Sequence, residues 1–215
     1  LQNRLENVDT TNWPIYYQVD WWIVRAEMNG YDFNHRVLRP WVRDPAFYQT
    51  IWMYQSDVPA HEGPTNHGVL EFWMFDFPLN NDRAKDLADQ LKTIPNFLFQ
   101  AKGNLTGNAR DLWVAGIENF KEQADNLEAI RKKVKKHHGK SLDGLLSAPL
   151  KNAKEANDDF IKWLEQKAPT KNGPSGIGKE NYTWYQKNVH FVPLSWEEEV
   201  SLLQRELDRS WSSLK

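Results

Sequence analysis

The sequence predicts an all-α fold of about seven or eight helices with one long aromatic-rich loop. Apolar residues recur at steps of three and four along most of the chain, as in Tyr17, Trp21, Val24 and Met28. Helix start signals stand before those stripes. Asp44-Pro45 puts a capping aspartate before proline, and Ser195-Trp196-Glu197-Glu198 has the spacing of a capping box. Gly139 closes the longest periodic run.

The elements follow in chain order. Leu1 to Val8 reads as a short helix with Leu1, Leu5 and Val8 on one side. Pro14 opens the next, widened by Trp22 and Ile23 and closed by Gly30. A short helix through Phe47, Ile51 and Tyr54 follows Asp44-Pro45. Residues 55–81 contain Pro59, Gly63, Pro64, Gly68 and Pro78 around Phe72-Trp73-Met74-Phe75 and read as a packed, irregular loop. The next helix carries Ala84, Leu87, Ala88 and Leu91, with an end near Thr93 because residues before proline disfavour α geometry. Pro95 then starts another helix that stops at Gly103.

Asn108 to His138 reads as one helix, with Leu112, Ile117, Ala124, Leu127, Ile130 and Val134 on its apolar face. Its cationic end, Arg131 to His138, suits a helix C-terminus, where positive charge meets the dipole. Adjacent His137 and His138 point about 100° apart on a helix, which is a poor metal clasp. Ser147 caps a helix bearing Leu150, Ala153, Ala156, Phe160, Trp163 and Leu164. Residues 168–178 are linker-like. The last helix carries Val200, Leu203, Leu207 and Trp211 and has no stop signal before Lys215. Residues 1–215 are therefore expected to form a single helical domain, the N-terminal part of a larger protein.

Composition limits the functional classes. Lysine and arginine total 27 against 29 acidic residues, so there is no basic field to attract nucleic acid. No apolar run approaches the ~20 residues that span a bilayer. The absence of cysteine removes disulfides and thiolate ligands. Eleven tryptophans suit packing anchors or an aromatic-lined cleft for peptide or sugar.

"AHEGPTNH" spells the parts of a zinc-hydrolase motif with His61, Glu62 and His67. The helical motif needs histidines four apart on one face. Here they are six apart, and Pro64 lies between them, so a polar loop is the expectation and no metal ligand is assigned. No catalytic residue is assigned either: the sequence has no G-x-S-x-G, P-loop or H-E-x-x-H pattern.

Four phrases in order, "WVRDPAFY", "LKTIPNFLFQAKGNL", "DDFIKWLEQKAP" and "IGKENYTWYQKNVH", followed by "LSWEEEVSLLQRELD", resemble the N-terminal half of a bacterial family. It is the domain of unknown function family 885, related to zinc-dependent metallopeptidases. The resemblance implies half of a gluzincin-like helical architecture flanking a peptide-sized cleft. Zinc and its histidine-glutamate motif are expected in a C-terminal half, which becomes this chain's principal partner. Such relatives are often exported, which suggests a periplasmic setting. Gly178 and Tyr182 in "IGKENY" look like a family feature that supports substrate binding; turn geometry and packing explain them equally well. The rival expectation is a non-enzymatic scaffold that grips peptide or glycan through the Trp-rich loop.

Overall fold

The computed structural model describes residues 2–55 and 70–214. The fold is all-α with one minimal sheet, and the chain divides into two compact units. One comprises residues 1–39 and 176–215, the other residues 40–175. None of the described helices is long and apolar enough to cross a membrane.

The second unit holds the larger core. Its long helices are α4 (Asn81–Asn104), α5 (Arg110–His138) and α6 (Asp143–Lys167), with α6 packed against both others. Of the expected stripe residues, Leu87, Leu91, Leu127, Ile130, Phe160 and Leu164 are buried there, packed with Ile94, Leu98, Trp113, Phe120 and Leu146. Leu112, Ile117 and Ala124, also expected on the α5 face, are only partly buried because the buried face of α5 is centred on Trp113 and Phe120. Phe120 and Phe160 meet edge to face at 4.6 Å. A short helix α3 (Pro40–Arg43), a 3-10 turn (Pro45–Tyr48) and the parallel strands β1 (Ile51–Trp52) and β2 (Leu70–Glu71) complete this unit's N-terminal side. Ile51 pairs with Leu70 and Trp52 with Glu71.

The buried amide side chains Gln123 and Asn157 are paired inside this core, whereas the buried Trp113 Nε1–H has no hydrogen-bond partner among the described residues. Oε1 of Gln123 accepts from the backbone N–H of Thr50 at 2.7 Å and of Ile51 at 3.2 Å. Nδ2 of Asn157 donates to the carbonyl of Phe120 at 2.9 Å. The α5 side chain thereby satisfies backbone donors around the start of β1 that would otherwise be buried without partners.

The linker-like segment is tied down. Residues Ala168–Thr170 form a 3-10 turn, Gly173 bridges to Ala109, and Gly173 N–H donates to the Asn108 carbonyl at 2.8 Å. Lys171 places Nζ 4.0 Å from the centre of the Trp113 ring and donates to the Gly107 carbonyl.

The other unit contains α1 (Gln2–Glu6), α2 (Ile15–Phe33), a π-helical turn (Asn34–Leu38), α7 (Lys179–Asn188) and α8 (Trp196–Ser213). Phe33 stacks on Trp184 at 5.5 Å and meets Tyr185 at 4.8 Å. Asn29 donates to the Asn188 carbonyl at 3.0 Å, and Gln2 donates to Asn29 Oδ1 at 3.2 Å.

Four boundaries differ from the sequence expectation. Helix α4 runs through Pro95 instead of ending near Thr93. Proline removes one helical hydrogen bond, but buried Leu91, Ile94 and Leu98 hold both sides of it to the same core. Helix α6 begins at Asp143, ahead of Ser147, and includes Pro149 for the same reason, since Leu146, Pro149 and Leu150 are all buried. Gly30 does not end α2; a Cβ there would stand 3.4 Å from Val189, so the small residue serves packing inside the helix. The helix expected through Ile51 and Tyr54 is only the turn Pro45–Tyr48, after which Ile51 enters β1.

Candidate functional site

Gly178 and Tyr182, the residues singled out for substrate binding, open α7. Gly178 is its N-cap, with φ of 85°, a left-handed conformation that favours glycine. No atom crowds the missing Cβ more closely than Glu180 Oε2 at 3.7 Å, so conformation, not space, selects glycine here. Its carbonyl accepts from the Tyr182 N–H at 3.0 Å, closing the first helical turn.

That turn aims Tyr182 at α8. Its hydroxyl donates to Glu199 Oε2 at 2.5 Å, and its ring meets Trp196 edge to face at 5.2 Å. Thr183 adds a second tie, with Oγ1 accepting from the Trp196 N–H at 3.1 Å. The hydrogen bond to the Glu199 carboxylate, together with burial, raises the Tyr182 phenol above its ordinary range. Its hydroxyl proton is directed at the Glu199 carboxylate.

The N-terminal cap of α8 forms as the sequence pattern requires. Ser195 Oγ accepts from Glu198 N–H at 3.3 Å, while Glu198 Oε2 accepts from Ser195 N–H at 2.6 Å. Hydrogen bonding from the Ser195 backbone N–H, and then from its side chain, holds the Glu198 carboxyl below its usual range. Beyond the cap, an open depression of about 520 Å³ is lined by Leu194, Glu197, Glu198, Ser201, Leu202 and Arg205. Neither Gly178 nor Tyr182 lines it.

The apolar stripe of α8 has no cover among the described residues. No α8 residue is buried, and Leu203 is 65 % and Trp211 60 % exposed. Periodicity locates the stripe correctly but does not report whether a partner lies on it. Helix α2 also leaves apolar residues exposed: Ile15, Val19 and Ile23 share one face by their spacing, while Trp22 on that face meets Phe191 edge to face at 5.5 Å.

The aromatic segment is partly packed. Phe72, Phe75 and Leu79 are buried, whereas Trp73 and Met74 of the 3-10 turn Phe72–Met74 are exposed, as is Tyr54. His61, Glu62 and His67 lie outside the described residues. Among the described residues, no group of three His, Asp or Glu side chains is placed to hold a metal ion.

Two features have weak or no sequence signal. Glu199 sits three residues beyond Trp196 in an acidic helical first turn, where dipole complementarity already explains it. His138, part of the cationic helix end, accepts the Leu79 N–H on Nε2 at 2.9 Å. Compared with protein-family models, curated proteins and solved structures, the chain matches none.

Proposed function

We propose that this chain is the N-terminal, substrate-cleft-forming helical half of a zinc-dependent metallopeptidase-like bacterial protein, and that it is not catalytic by itself. The observation that carries this reading is α8: a well-capped helix of 18 residues whose stripe Val200, Leu203, Leu207 and Trp211 is left exposed among the described residues. An isolated amphipathic helix of this length is marginal in water, and its stability comes from packing its apolar face. A further helical layer, supplied by the C-terminal half that the family resemblance implies, accounts for the stripe. Tyr182 and Gly178 then fix the angle at which α7 presents α8, and bind substrate by positioning that wall.

The hydrolytic chemistry belongs to the other half, where zinc would activate water. This chain contributes helical surfaces that hold a peptide in place. A second reading, a binding module for peptide or glycan, rests on the exposure of Trp73, Met74 and Tyr54.

Supplying the zinc-bearing half in trans tests the proposal. Peptidase activity is expected only when both halves are present, and the double substitution Leu203→Glu, Leu207→Glu should abolish the complementation. Peptide hydrolysis by this chain alone, or complementation untouched by those charges, would contradict it.

A further inference from the structure

The aromatic segment 72–79 meets the end of α5 and the start of α4, and three basic side chains converge on it. Arg83 donates to the Met74 carbonyl at 2.9 Å and lies 4.2 Å from the Phe75 ring centre. Lys133 Nζ stands 5.1 Å from the Phe72 ring and 4.6 Å from the Phe77 ring. His138 differs from both because it acts as an acceptor: its Nε2 takes the N–H of Leu79, and its ring lies 6.2 Å from Phe77.

An imidazole nitrogen that accepts a backbone N–H must carry its lone pair. The Nδ1–H tautomer of neutral His138 fits, whereas imidazolium has hydrogens on both nitrogens and no acceptor. Protonation therefore turns this contact from attractive to repulsive and leaves Leu79 N–H without its partner, in a residue only 7 % exposed. It also puts a positive charge beside the Phe77 ring, which already has Lys133 Nζ 4.6 Å from its centre. The charged and titratable groups on the elements meeting there are Asp76 on the segment and Asp82, Arg83, Lys85 and Asp86 at the start of α4, Asp86 being paired with Arg83 at 2.7 Å. Lys133, Lys135, Lys136 and His137 are on α5, with Lys140 and Asp143 beyond it.

We infer that His138 is an acid-sensitive latch on the aromatic segment: neutral, it pins Leu79 to the end of α5, and protonated, it releases the segment that presents Trp73 and Met74. The inference is independent of the peptidase reading, because it concerns only residues 72–83 and 133–143.

Amide hydrogen exchange of Leu79, corrected for the intrinsic pH dependence of exchange, tests it on the purified chain between pH 7.5 and 5.5. The Leu79 protection factor should fall about tenfold on acidification, the factor carried by one ordinary hydrogen bond. His138→Gln, which cannot take up a proton in this range, should remove that pH dependence, while His137→Gln should retain it. Nitrogen-15 spectra of the unsubstituted protein supply a check that needs no variant: at pH 7.5, His138 should show a protonated Nδ1 and a bare Nε2. An Nε2–H tautomer, or Leu79 protection that does not change with pH, would overturn the latch.

Discussion

Nε2 of Gln123 donates to Oδ1 of Asn157 at 2.9 Å, and both side chains are completely buried. This bond joins α5 to α6 while the other end of the Gln123 amide serves the N–H groups of Thr50 and Ile51. One side chain thus connects a helix pair to the start of β1 in the middle of an apolar core.

Replacing Gln123 with leucine should cost about 2–4 kcal/mol, because several buried partners lose their hydrogen bonds at once. Asn157→Leu should cost less, since it strands fewer groups. The double variant should be distinctly less destabilised than the sum, as expected for residues in one network. Denaturant unfolding of the four proteins measures the coupling; strict additivity would show that the network is not shared.

Gly116 and Gly103 should respond in opposite directions to alanine. A Cβ at Gly116 would stand 2.6 Å from Pro45 Cβ, a rigid and buried neighbour. Gly116→Ala should therefore destabilise by about 1–3 kcal/mol despite alanine's better helix propensity. Nothing lies within 4 Å of the corresponding position at Gly103, so Gly103→Ala should stabilise α4 by up to about 1 kcal/mol. Thermal unfolding of both variants provides the comparison.

Asp44 should give the protein an identifiable pH dependence. Burial raises its carboxyl, outweighing the Ala46 N–H bond and the nearby Arg43 charge that act to lower it. A carboxyl raised on folding contributes stability that is full below its unfolded value and lost as pH rises through its folded value. Relative to Asp44→Asn, which keeps a capping oxygen without the charge, the unsubstituted protein should lose stability as pH climbs from below the ordinary aspartate range to above the raised folded-state range. Asp44→Ala should lose about 1 kcal/mol at low pH, where only the cap differs. Unfolding free energies across that range decide it; an Asn variant that becomes progressively less stable than the parent on raising the pH would reverse the assigned sign.

Tyr182→Phe should loosen the joint between α7 and α8 by removing the donor to Glu199. About 1 kcal/mol of stability should be lost. Glu199→Gln retains an acceptor and should lose less. Hydrogen exchange in the first turns of α8 should accelerate in the phenylalanine variant, and unchanged exchange would show that the Trp196 contact alone fixes the joint.

Much of this architecture can be read from residue order because most stripes face a core within the chain. Leu87, Leu91, Leu127, Ile130 and Phe160 recur with helical spacing and are buried. The capping box at Ser195 is equally local and equally legible. Pro95 and Ser147 mislead because each is a local boundary signal, whereas the helices around them are held by distant partners. Local periodicity favours a helix at Ile51, but its pairing with Leu70 bridges a long separation that no local pattern reports. The candidate site is less legible still. Gly178 and Tyr182 stand out by resemblance, but the hydroxyl's partner Glu199 and the acceptor role of His138 arise from contacts across the fold.

The central claim, a helical half that works beside a zinc-bearing half, is tested most directly by elemental analysis of the isolated chain and its natural source polypeptide. One zinc per molecule of the source polypeptide is expected, and none in the isolated chain. A zinc-free source polypeptide would contradict the claim. So would stoichiometric zinc in the isolated chain that is lost with His61→Ala.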